Sequence, residues 1–298
     1  MSFAKLDALG HRLEALEHAL SILGADEATH MAVGGGEKRA EAMANLAGMY
    51  HAQSTAPEIA DWLDAAKAET VDQQLALDEF RRTYISDTCL PTEFVERKTA
   101  ATMRSEQLWR QLRPTGDWTS FLPALEGVVS LVREEAQLRA DALDLAPYDA
   151  LMDQFDPGNR TAQLDTVFAD LKTFLKGFVP EAIAAQEERL AKRPLKTLQG
   201  PFPIEHQREL GLAAMRAVGF DFTHGSLAVS HHPFCGGVPT DVRMTTRYRT
   251  DEFLSSLMGV LHETGHALYE QGITRRMVAL AAGQGAWHGH SREPVAVC

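Results

Sequence analysis

The chain has 298 residues, 45% of them hydrophobic, and a formal net charge of −12 at pH 7. That length and apolar content suit one large domain or two small ones with a sizeable core. The acidic balance, with no basic stripe, excludes nucleic-acid binding driven by phosphate neutralisation.

No stretch of eighteen consecutive apolar residues is present, and the opening M-S-F-A-K-L-D-A-L-G lacks the apolar core of a secretory leader, so no membrane association is expected. Cys89, Cys235 and Cys298 are odd in number and far apart, which argues against a disulfide framework and for a reducing, cytoplasmic setting.

Helical spacing runs from Phe3 to Leu23 through Leu6, Leu9, Leu13, Leu16 and Leu20, with Gly24 as the expected stop. Gly34-Gly35-Gly36 lacks the Gly-Lys-Ser/Thr of a phosphate loop and reads as a turn between two helices, the second ending near His51. Further helices are predicted over 56–68, 71–90, 92–112 (opened by Pro91) and 118–145, with a turn at Pro114-Thr115-Gly116-Asp117. Cys89 reads as an ordinary buried thiol, and charge runs such as Arg133-Glu134-Glu135 as solvated helix faces.

Tyr148 to Arg160 reads as a loop around Asp156-Pro157-Gly158-Asn159. Two helices are expected next, Thr161 to Gly177 and Pro180 to Lys192, then a third from Ile204 to Val218 stopped by Gly219. Phe220 to Tyr248, rich in β-branched and aromatic residues, predicts one or two short strands, so the fold class is mainly α.

A last helix follows, with Thr250 as N-cap, Asp251 and Glu252 in its first turn, and Leu254, Leu257, Met258, Leu261 and Leu268 as its buried stripe. It carries V-L-H-E-T-G-H-A-L-Y-E-Q-G, residues 260–272. His262 and His266 are one turn apart on one face and can direct two imidazole nitrogens at a single ion. Glu263 comes about 100° further round, where a carboxylate can take a proton from water during hydrolysis.

Three motifs in order, His232-Pro233-Phe234, Asp241-Val242-Arg243-Met244-Thr245 and His262-Glu263-Thr264-Gly265-His266, resemble the thermostable carboxypeptidase, or carboxypeptidase Taq, family of metallocarboxypeptidases. The early segment G-A-D-E-A-T-H-M-A-V-G-G-G-E-K-R-A-E is similar to that family's N-terminal region. The resemblance implies a multi-helix metallopeptidase fold with a deep cleft, a homodimer, and release of C-terminal amino acids from peptides with broad specificity. It makes His262 and His266 ligands of Zn2+, with other divalent ions admissible, and Glu263 the general base. His232, Asp241 and Arg243 become candidates for substrate contacts or for support of the site. Arg243 either pairs with Asp241 structurally, the favoured reading, or meets a substrate carboxylate. His231 reads as a plain polar histidine.

Members of this family are longer and carry a His-Glu-Ser motif past the second histidine, whose glutamate is the third ligand. The printed tail from Ile273 lacks it. In a reading frame shifted by one base, codons permitted for residues 285–297 encode A-R-G-M-A-I-H-E-S-Q-S-L, which contains it. The expectation is a single domain portion over 1–272, a frameshifted tail over 273–298, and a site short of its third ligand. His288, His290 and Glu293 of the tail are less favoured substitutes.

Overall fold

The computed structural model describes residues 2–194 and 198–273. Its helices are α1 (Ser2–Thr29), α2 (Gly36–Ser54), α3 (Glu58–Ala65), α4 (Val71–Thr88), α5 (Thr92–Leu112), α6 (Trp118–Leu143), α7 (Pro147–Met152), α8 (Thr161–Lys192), α9 (Ile204–Ala217) and α10 (Leu254–Gly272). Three strands, β1 (Gly225–Val229), β2 (Phe234–Val238) and β3 (Asp241–Thr246), lie between α9 and α10. The fold is mainly α, as the periodicity implied.

Two apolar clusters anchor the described residues. In the first, Leu6, Leu9 and Leu13 of α1 meet Ile59 and Leu63 of α3 and Leu77 and Phe80 of α4. The leucine spacing of α1 therefore does what its period of 3.6 requires. The second joins Met215 of α9, Phe220, Val242 and Met244 of β3, and Val260 and Ala267 of α10. Between the bundle helices, buried Glu135 of α6 is paired by Arg139 and by Lys98 of α5, as a buried carboxylate requires.

The sheet has the order β1-β3-β2, with β1 parallel and β2 antiparallel to β3. Three strands form where one or two were expected, because Pro239-Thr240 turns β2 back on β3 in register Val238 with Asp241. At Gly237, φ is +85° and a Cβ would come within 2.2 Å of the Asp241 carbonyl oxygen, so only glycine fits. Gly219 stops α9 as expected: the Gly219 N–H donates to the Arg216 carbonyl and the Phe220 N–H to that of Met215, a Schellman closure that delivers Phe220 to the second cluster.

Several expectations are corrected. Helix α1 continues through Gly24 to Thr29, because Ala25 and Glu27 beyond it are buried and packing outweighs glycine's weak propensity. A short helix, α7, occupies the start of the expected 148–160 loop, with Pro147 in its first turn. Pro180 begins no new helix; α8 runs through it unbroken, flanked by residues able to carry the helix past the one missing hydrogen bond. At α10 the start moves to Leu254, and the Glu252 carboxylate, not Thr250, accepts the Ser255 N–H. The expected leucine stripe is also overturned: Leu254, Met258 and Leu261 are exposed, whereas Ser256, Val260, Glu263, Thr264, Ala267 and Glu270 are buried.

Candidate metal centre

Helix α10 is seated by close backbone approach. Val260 meets α9 at Gly211, where a Cβ would touch it at 3.4 Å, and Ser256 Oγ donates to Gln207 Oε1 at 2.8 Å. One turn before the histidine motif, Gly259 brings the helix against Pro233 and Thr246, both under 4 Å from where its Cβ would be.

His262 and His266 project from the same side of α10 with their Nε2 atoms 3.3 Å apart and rings nearly perpendicular. Two nitrogens bound to one tetrahedral ion at 2.0–2.1 Å would be roughly 3.3–3.4 Å apart, so the pair matches that geometry. His262 is exposed and His266 half-buried, while Glu263 next to them is buried. Glu263 is turned to the sheet, close enough to influence Cys235 of β2: burial first, then Glu263 and Glu270, push that thiol up to about 12. Cys235 is therefore a neutral thiol and leaves both carboxylates uncompensated by any thiolate chemistry.

The His-Pro-Phe segment lies in the loop between β1 and β2. The side chain of His232 is exposed, but its carbonyl accepts from Ser230 Oγ and, at 3.2 Å, from Thr245 Oγ1. The same Thr245 oxygen accepts the Phe234 N–H at 3.1 Å, and Arg113 at the end of α5 donates to the His231 carbonyl at 3.3 Å. Thr245 is buried on β3, so the last residue of the second motif clamps the backbone of the first. Pro233 of that loop then rests on Gly259 of the third. Three motifs that read as separate in sequence are thus one assembly.

Asp241 and Arg243 form a two-pronged pair, Nε to Oδ1 at 2.6 Å and Nη2 to Oδ2 at 2.5 Å, the structural pairing favoured from sequence. Both face out along β3 and are partly exposed. Sequence reasoning did not single out Thr245, Gly259 or Arg113. The first sits in a motif position that was quoted without a role, and the other two are visible only through contacts between distant segments.

Among the described residues, no group of three or more His, Cys, Asp and Glu is placed to hold a metal. The tail with its shifted-frame motif, and His288, His290 and Glu293, lie outside the described residues.

Residues 5–291 match the model of the carboxypeptidase Taq (M32) metallopeptidase family. Thermostable carboxypeptidase 1 of Thermus thermophilus is 37% identical over 266 residues, which are 84% of this chain and 51% of that protein. Carboxypeptidase 1 of Bacillus subtilis is 27% identical over 283 residues, 93% of this chain and 55% of the relative. Among solved structures, Trypanosoma cruzi metallocarboxypeptidase 1 superposes with a TM-score of 0.77 at 36% identity, covering 94% of this chain and 56% of that one. The chain spans about half the length of the curated relatives it matches. With the histidine pair, the clamped upstream motifs and these matches in agreement, the chain belongs to the carboxypeptidase Taq (M32) family of metallopeptidases.

Proposed function

We propose that this chain carries the HExxH half of a metallocarboxypeptidase site that removes C-terminal amino acids from peptides with broad specificity. The observation that supports the reading most is the 3.3 Å separation of the His262 and His266 Nε2 atoms. Two imidazoles at that spacing suit Zn2+ or a similar divalent ion. When bound, the ion supplies Lewis acidity at the scissile carbonyl.

Glu263 accepts the proton of the attacking water at its carboxylate and returns it to the departing amine. Its burial against the sheet fixes it beside the histidines. His232 and the Asp241–Arg243 pair support or line this region, with Arg243 engaged by Asp241. A homodimer and a cytoplasmic setting complete the reading by family resemblance.

Two protein ligands are one short of the usual catalytic complement, so the printed chain is expected to hold metal weakly and to be inactive. A non-catalytic remnant of the family is the alternative reading. Both the domain portion over 1–272 and the shifted frame beyond it belong to this proposal, and the nucleotide sequence around Ile273 tests that part directly.

Equilibrium dialysis with Zn2+ tests the ligand assignment. We expect one weak site, lost in His262→Ala and His266→Ala and retained in Glu263→Gln. Unchanged uptake in both histidine variants would remove the assignment. Tight stoichiometric zinc together with release of C-terminal residues would instead overturn the incompleteness of the site, and loss of that release in Glu263→Gln would then identify the base.

A further inference from the structure

Helix α8 is 32 residues long and buries none of them. At 100° per residue, Phe168, Leu171, Phe174, Leu175, Phe178 and Ile183 all fall within one half of its circumference. The three phenylalanines are 58, 59 and 51% exposed, and Phe174 and Phe178 stack on one another with centroids 5.1 Å apart. With the exposed Val167 and Val179 included, the stripe presents on the order of 700 Å² of apolar surface. That exceeds the largest patch usual on a monomer and approaches one side of a standard protein interface, about 800 Å².

Helices of this length owe most of their stability to a packed apolar face, so α8 is built to be covered. Lys172 and Lys176 border one edge of the stripe, while Asp170 and Glu181 border the other. The matched relatives are about twice as long, and close to half of each has no counterpart in this chain. A second exposed apolar face, Leu254, Met258 and Leu261 of α10, lies beside His262, which is where an additional layer would complete the metal centre.

We propose that the apolar face of α8 is the docking surface for the polypeptide that makes up the remaining half of these relatives. This partner presents an apolar helical surface, acidic on the side that meets Lys172 and Lys176 and basic on the side that meets Asp170 and Glu181. The proposal rests on the family assignment and is independent of the metal reading, since it is tested without metal.

The test is co-expression of the tagged 298-residue chain with the portion of the Thermus thermophilus relative that lies beyond the matched stretch. The expected result is a one-to-one complex in which amides of residues 161–192 exchange with solvent at least ~100-fold more slowly than in the chain alone. Phe174→Glu with Phe178→Glu abolishes capture and leaves the circular dichroism of the isolated chain unchanged. Lys172→Glu with Lys176→Glu weakens capture about tenfold.

Absence of capture overturns the proposal, and so does capture that survives the two glutamates. Slow exchange of α8 in the chain alone that fades on dilution would assign the face to a second copy and equally overturn it. Should the glutamate variant fail to express, Phe174→Ala with Phe178→Ala gives the same comparison. In that variant, binding of an apolar fluorescent dye to the isolated chain should fall.

Discussion

On α10, the side turned to the sheet carries Ser256, Val260, Thr264 and Ala267, all buried, whereas Leu254, Met258 and Leu261 on the opposite side stand at 50, 61 and 37% exposed. Ranking by hydrophobicity alone would reverse the two. Close approach explains the inversion: α9 crosses at Gly211, and Pro233 and Thr246 come up against Gly259, so only small or β-branched side chains fit between the layers. The longer leucine and methionine side chains belong to an interface with more room. Chemistry divides along the same line, because Glu263 is held on the packed side and His262 stands toward the open one.

That contrast can be broken most sharply by placing one charge on each side. Val260→Asp should cost about 4 kcal/mol or more, enough to unfold the α9–sheet–α10 unit, because it buries an unpaired carboxylate at a residue that is 1% exposed. Met258→Asp should change stability by less than about 0.5 kcal/mol. Urea titrations of both variants check this, and equal effects would mean that the two faces do not differ as described.

A buried charge in the helical layer gives the next largest effect. Glu27 is pushed up to about 7 by burial and by Glu106, against the pull of Arg110 and Arg39 and a hydrogen bond from Gln107. With the folded value raised above the ordinary 4.5, stability from this group is fully present below about pH 4.5 and is lost as pH rises toward 7. The loss is at most about 3 kcal/mol. Glu27→Gln should flatten the stability profile between those limits, and an unchanged profile would show that Glu27 does not titrate there.

The smallest of these effects concerns the clamp on the His-Pro-Phe loop. Thr245→Val removes a buried hydroxyl that serves both His232 and Phe234, for an expected cost of about 1–3 kcal/mol. Exchange of the Phe234 amide should quicken in Thr245→Val and be restored in Thr245→Ser. Identical exchange in all three proteins would dismiss the clamp.

Much of the site was legible because its chemistry is local. His262, Glu263 and His266 need only a helix to be placed together, and the apolar spacing with the acidic first turn predicted one. The Asp241–Arg243 pair was legible for the same reason, alternate residues on one strand edge being neighbours. Other features depended on distant partners. Nothing near Thr245 in sequence indicates that its hydroxyl would grip the backbone of residues 232–234, and nothing near Pro180 indicates that α8 would pass through it.

What the sequence by itself determined is therefore the helical class, the placement of most helices, the motif pair of imidazoles with its neighbouring carboxylate, and the family to which they point. These follow from periodicity and from side chains a few positions apart, which obey fixed helical geometry. Only the tertiary structure decided which side of α10 is buried, how three separated motifs become one assembly, and that the apolar face of α8 is left uncovered. Those outcomes depend on how closely the layers approach and on what stands opposite each face, and a pattern of apolar residues specifies that a face is to be covered without specifying by what.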